Sequence, residues 1–318
     1  MTNDLNIPEL PDCVDTETIR VHAPSPVIFV CGGPYDVTSP VPLSFRDAFL
    51  RAAHREPFAR HTILVAEELN AFFPSGGYRD ILSFESDIAQ IADLIILFSE
   101  SYGSAAELGA FSVVEEIAAK LLVVIDEKNH NDNSFIRLGP LRALEITYGD
   151  NSCCVLNCDD INIKSIHTLS TIDISAFNNI LIDAFEHRIA HARERTLFDR
   201  NRNGHIIKLL VGIIQHYGAL TADELHVALF GLGVDMHTDK IKDLLLCAEF
   251  AKWVKKIKRG INTFYLPTQE KPAIHYKLKA TIPHLNKERW RYDIREHWKK
   301  KDTSRFNCIT SLIGSTRT

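Results

Sequence analysis

A serine and a glutamate three residues apart, Ser104 and Glu107, stand between Gly103 and Gly109, just after an apolar run that ends at Phe98. A fixed carboxylate can bond to, or stabilise, the positive charge that develops at an anomeric carbon, so this pattern points to cleavage of a glycosidic bond. The same pair reads equally as a capping box, in which both side chains only satisfy free backbone N–H groups. Position favours the chemical reading: the pair follows a buried strand, and a helix-start dipole would keep Glu107 ionised. A second pair of glycines, Gly32 and Gly33, follows the apolar run Val27–Cys31, where a missing Cβ lets backbone approach a ligand closely; a plain strand-to-helix turn would also explain it. Asp87, on the helix before the Glu107 strand, is a candidate for holding sugar or base, or else a solvated helix carboxylate. Arg142 is a candidate for bidentate contact with a phosphate, or else an exposed helix arginine, and Ser134 and Gly139 would wall the same side.

These residues must be positioned by a regular scaffold. Short β-branched runs recur at Val27 to Cys31, Thr62 to Ala66, Leu94 to Phe98, Leu121 to Ile125 and Cys153 to Leu156, with amphipathic stretches between most of them. That alternation predicts an α/β fold with a doubly wound, mostly parallel sheet and helices on both faces. Residues 1–24 read as an N-terminal arm, 25–160 as the catalytic domain and 161–200 as a helical linker, with Ser175 as its cap. Residues 201–270 then give three helices and a strand pair turning at Gly260, the order of a winged helix, and 271–318 form a basic extension.

Seven cysteines are scattered without a CxxC pair, so neither a disulfide framework nor a metal site is expected, and no cofactor is implied. The chain of 318 residues has a net charge of −5, but residues 251–301 hold 15 Lys/Arg against 4 Asp/Glu, leaving 21 basic and 37 acidic residues elsewhere. Such asymmetry points to a polyanionic partner. Lys252, Lys255, Lys256, Lys258 and Arg259 interleave with Trp253, Phe264 and Tyr265, and the run Lys287 to Lys301 adds Trp290, Arg291, Arg295 and Trp298. Lysines for phosphates beside aromatics for bases fit a nucleic-acid surface; a solvated basic face that docks protein is the alternative. No apolar run reaches the length of a membrane span, and the start has no basic region followed by an apolar one, so a cytoplasmic protein without membrane contact is expected.

Gly103-Ser104-x-x-Glu107-x-Gly109, with Asp87 on the preceding helix, resembles the nucleoside deoxyribosyltransferase motif, whose glutamate attacks C1′ of the sugar. The resemblance extends over roughly residues 25–150 to the effectors of bacterial retrons, anti-phage systems in which a reverse transcriptase and its multicopy single-stranded DNA restrain a toxic partner. Phe29-Val-Cys31-Gly32-Gly33, Glu100-Ser-x-Gly103-Ser104-x-x-Glu107-Leu-Gly109 and Ser134-Phe135-Ile136-x-x-Gly139-Pro140-x-Arg142 carry it. It implies an N-glycosidase that consumes NAD or a related nucleotide, and partners in the reverse transcriptase and the DNA–RNA hybrid. Nucleoside transferases place acidic residues before the glycine to grip the base, whereas Ser101 and Tyr102 stand here, which favours hydrolysis over base exchange. A nucleotide-sensing DNA-binding regulator without catalysis is the alternative, a purely structural adaptor a third reading, and self-association into a homo-oligomer stays open.

Overall fold

The computed structural model describes residues 8–69, 77–166, 168–190, 196–282 and 284–315. They divide into two compact units: one drawn from residues 26–69 and 88–193, the other from 1–25, 70–87 and 194–318.

The first unit is built on five parallel strands, β1 (Val27–Cys31), β2 (Thr62–Val65), β3 (Leu94–Phe98), β4 (Leu121–Asp126) and β5 (Cys153–Leu156), in the order β2-β1-β3-β4-β5. β1, β3 and β4 are buried at every residue, so they read as unbroken apolar runs. Registers such as Phe29 opposite Ile95 and Leu97 opposite Val123 align the carboxyl ends of the central strands. Chain order reverses between β1 and β3, and the crevice outside those strand ends is where open α/β sheets bind ligands. Asp93 accepts from the Val27 N–H at 2.7 Å and ties the entry of β3 to that of β1.

Helix α1 (Phe45–Ala52) starts at Ser44, whose hydroxyl accepts from the Asp47 N–H. Helix α2 (Ile81–Ile91) leads into β3, and α3 (Tyr102–Ser112) follows it. Residues 174–189, expected as a linker, form α4 (Ile174–Ile189), whose Phe177, Leu181 and Phe185 join the apolar core of β1, β3 and α1. Its cap is Asp173, which accepts from the N–H groups of Ser175 and Ala176; Ser175 lies inside the helix.

In the second unit α5 (Asn203–Tyr217), α6 (Ala222–Gly231) and α7 (Thr238–Phe250) precede the antiparallel hairpin β6 (Val254–Arg259) and β7 (Asn262–Pro267). Leu220, between α5 and α6, bridges to Tyr265, completing a winged-helix arrangement. Thr221 and Glu224 form the capping box of α6. Two further helices, α8 (Lys287–Lys301) and α9 (Thr303–Ser315), close the chain. The described part of the expected N-terminal arm is a core element: Leu10, Cys13, Val14, Ile19 and Val21 are buried, and Arg20–Val21 pairs with both Ile274–His275 and Thr196–Leu197. A four-residue helix and a 3₁₀ turn break its apolar spacing, so no period shows in the sequence.

Candidate functional site

In the first unit β1 ends at the Gly32-Gly33 turn and β3 delivers the chain to α3. A Cβ on Gly32 would stand 2.8 Å from Phe98 Cβ and 3.2 Å from Arg46 Cβ, and one on Gly33 2.9 Å from Glu100 Oε1. The glycines therefore admit the protein's own side chains. Glu100 fills that space: its carboxylate accepts from the N–H groups of Gly33 (3.0 Å), Phe45 (2.7 Å) and Arg46 (3.1 Å), pinning the turn and the start of α1 to the end of β3. Burial pushes the Glu100 carboxyl up, against the opposing pull of those donors. Arg46 is fully buried, pairs through both terminal nitrogens with Glu67, just beyond β2, and lies 5.3 Å from the Tyr35 ring centroid.

Helix α3 begins one turn earlier than a Ser104–Glu107 box would require. Ser101 is the cap, accepting from Ser104 N–H, and the Ser104 hydroxyl accepts from the N–H groups of Glu100 and Ser101 at 3.1 and 3.0 Å. Ser104 thus serves the capping box as its third helical residue, one helical turn later than the cap position expected for it. Glu107 is released from the cap by the same shift and lies in the second helical turn. Its Oε2 is buried with no hydrogen-bond partner among the described residues, and Arg46 Nε is another such atom. Burial raises the Glu107 carboxyl above its ordinary range; neighbouring Glu67 raises it further and Arg46 opposes. This replaces the expectation of a carboxylate held ionised by the helix start: desolvation dominates here.

Gly103 is exposed, and a Cβ there would meet nothing nearer than Ser101 Oγ at 3.8 Å, so packing does not demand a glycine. Arg142 is exposed on a surface depression lined by Arg137, Leu138, Glu145, Ile146 and Asp150, a set that does not include Glu107. Asp87, the other acidic candidate, is held within its own unit. It belongs to the second unit, where its oxygens accept from Asn203 Nδ2 (2.8 Å), Tyr78 Oη (2.8 Å) and Lys240 Nζ (3.0 Å), so it acts as a structural tie. Arg46 and Glu67 were not singled out in the sequence, and Glu100 stood there only as the first residue of the motif that carries Glu107.

A family model described as STM3845 retron effector protein matches residues 42–256, two-thirds of the chain and the whole stretch from α1 to the winged helix. The chain belongs to that retron effector family. The "Retron Ec86 putative ribosyltransferase/DNA-binding protein" of Escherichia coli is 37% identical over 149 residues, 46% of this chain and 45% of the relative. The "Retron Ec73 putative ribosyltransferase/DNA-binding protein" of Escherichia coli is 42% identical over 65 residues, 20% of this chain and 21% of the relative. The matches thus span less than half the length of either curated relative.

In this retron effector the second unit presents Lys252, Lys255, Lys256, Lys258 and Arg259 as exposed residues on and beside the hairpin. The aromatics expected to stack bases are core instead: Trp253, Phe264, Tyr265, Trp290 and Trp298 are all buried, with Trp253 Nε1 donating to Ser25 Oγ and Trp298 Nε1 to the Tyr217 carbonyl. Among the described residues no group of His, Cys, Asp and Glu could hold a metal ion, and no helix is long and apolar enough to cross a membrane.

Proposed function

We propose that this effector cleaves the N-glycosidic bond of NAD or a related nucleotide, with Glu107 as nucleophile or oxocarbenium stabiliser. One observation carries the reading: at the switch point of the sheet, Glu107 holds a carboxylate oxygen in a buried position with no hydrogen-bond partner among the described residues. Buried polar atoms are mostly satisfied, and an unpaired carboxylate oxygen beside the ligand crevice of an α/β sheet is placed to meet a substrate. Substrate lying over the Glu100-pinned turn brings C1′ to Glu107. The C1′–N bond breaks with its electron pair going to the base, and Glu107 bonds to, or stabilises, the cationic carbon. For NAD the leaving nicotinamide departs neutral and needs no proton; water then adds to C1′ and releases one proton. The basic hairpin is the nucleic-acid surface, and the reverse transcriptase with its multicopy single-stranded DNA is the partner that restrains the toxic activity.

The test is NAD concentration in cells expressing the chain alone, beside an equally expressed Glu107→Gln variant. A fall that requires Glu107 supports NAD glycohydrolysis. Toxicity that requires Glu107 while NAD stays level moves the substrate to another nucleotide. Unchanged cells with either chain would replace the enzyme by a nucleotide-sensing regulator.

A further inference from the structure

A helix-turn-helix protein ordinarily reads DNA with its recognition helix, which here is α7. Most of α7 is already occupied within its own unit. Ile241, Asp243, the run Leu244 to Ala248, and Phe250 are buried. Residues 77–87 supply much of the cover. Asp243 accepts from the Gly77 N–H at 2.7 Å, and Cys247 Sγ lies 3.0 Å from Tyr78 Oη. Phe250 packs against Phe84 with ring centroids 6.4 Å apart, and Lys240 pairs with Asp87 at 3.0 Å. What α7 still offers to solvent is Asp239 and Lys242 with parts of Thr238, Lys240 and Glu249, and both lysines are already paired, Lys242 with Asp239 at 2.9 Å and Lys240 with Asp87. A face whose two lysines are each spent on a carboxylate has little left to neutralise a phosphate backbone.

The hairpin has the opposite character. Lys255, Lys256, Lys258 and Arg259 are exposed, and none makes an ion pair or side-chain hydrogen bond among the described residues. The turn is made by Gly260 at φ +59, a left-handed conformation that favours glycine. Ile261 follows at the tip, 98% exposed, between cationic β6 and the polar start of β7. An apolar side chain held out on a cationic hairpin has the character of the wedges that some proteins insert between bases, an insertion that costs less where the bases are already unstacked.

We propose that the winged-helix unit grips nucleic acid by its wing alone: Lys255, Lys256, Lys258 and Arg259 neutralise phosphates, Ile261 wedges against bases, and α7 reads nothing. Binding is then independent of sequence and favours single strands over intact duplex. This rests on the assignment of the hairpin as a nucleic-acid surface.

The experiment uses the full chain carrying Glu107→Gln, so that it can be produced, and measures anisotropy of two labelled single-stranded DNAs of unrelated sequence at several salt concentrations. Both strands should bind alike. The triple variant Lys255→Ala/Lys258→Ala/Arg259→Ala should weaken both at least tenfold and flatten the salt slope by about 2, since each phosphate contact on single strands contributes roughly 0.7. Ile261→Ser should weaken binding several-fold with the slope unchanged, and Lys242→Ala should leave it as it was. All the substituted side chains are exposed, so thermal melts should match the parent. Wild-type-like binding by the triple variant, or a strong preference for one sequence that Lys242→Ala removes, would overturn the wing-only mode while the nucleic-acid reading stood. No binding to either strand would remove the nucleic-acid reading as well, and capture by phosphatidylserine vesicles instead would make the wing a membrane contact.

Discussion

Glu107 shows how a reactive group costs a protein stability. A carboxyl that is desolvated and left without a partner destabilises the fold whenever it is ionised, and relief of such a group is worth on the order of 1 kcal/mol or more. The sign follows from linkage. Glu107 titrates near its ordinary value of 4.5 when unfolded and higher when folded, so the native state holds the proton longer and stability from this group falls as pH rises above about 4.5, until the native carboxyl ionises as well. Glu107→Gln should therefore melt at or above the wild type, by a margin that widens as pH rises above about 4.5 and then levels once the native carboxyl ionises, while turnover is lost. Paired thermal melts across that range check it. A variant that melts lower at every pH would mean Glu107 has a structural partner and is no free acceptor. The glutamate was legible because its residue type and its place after a buried strand constrain chemistry. Its neighbours were not: Arg46 and Glu67 come from other segments of the sheet unit, and only the fold brings them beside it.

At the level of elements, parallel strands were easy to read because burial on both faces leaves no polar residue to interrupt them. The start of α3 was displaced by one turn because Ser101 and Ser104 are both competent caps, and only the backbone decides which N–H each one meets. The aromatics of the hairpin were misplaced because lysines neighbour them in sequence, while the two strands meet different surroundings. β7 packs against α5, α6 and α9 and buries Phe264, Tyr265 and Leu266, whereas β6, its partner in register, leaves Lys255, Lys256, Lys258 and Arg259 in solvent. The two glycine sites can be told apart by one methyl group each. Gly32→Ala forces Cβ against Phe98 Cβ and Arg46 Cβ, atoms anchored to backbone, and should cost about 1–3 kcal/mol as an overpacked core substitution. Gly103→Ala has room and sits in a helix, so it should stabilise by up to about 1 kcal/mol. Urea denaturation gives both values. If Gly103→Ala folds better yet turns over slowly, that glycine serves a substrate that comes close to the helix.

At the scale of the whole molecule, the division drawn from sequence, with a catalytic domain at 25–160 and a binding domain at 201–270, differs from the way the chain is packed. The segment before β3 counts with the second unit: Tyr78 stacks on Phe84 at 4.7 Å, and their surroundings include Cys247, Phe250, Asn203 and Lys240. No periodicity could reveal this, since the partners lie more than a hundred residues away and the segment carries an ordinary helical pattern. Fragments of the chain should feel the difference. Residues 26–193 expressed alone would keep the five-stranded sheet but strip Tyr78, Phe84 and Asp87 of these partners; exposing an aromatic of this size forfeits roughly 1.5–3 kcal/mol. The fragment should bind a hydrophobic dye and melt below the whole chain, and residues 196–318 added in trans should restore both properties. A dye-silent monomer that melts with the full-length chain would show that the sheet unit stands without the segment's partners, and that the segment's contacts serve the winged helix only.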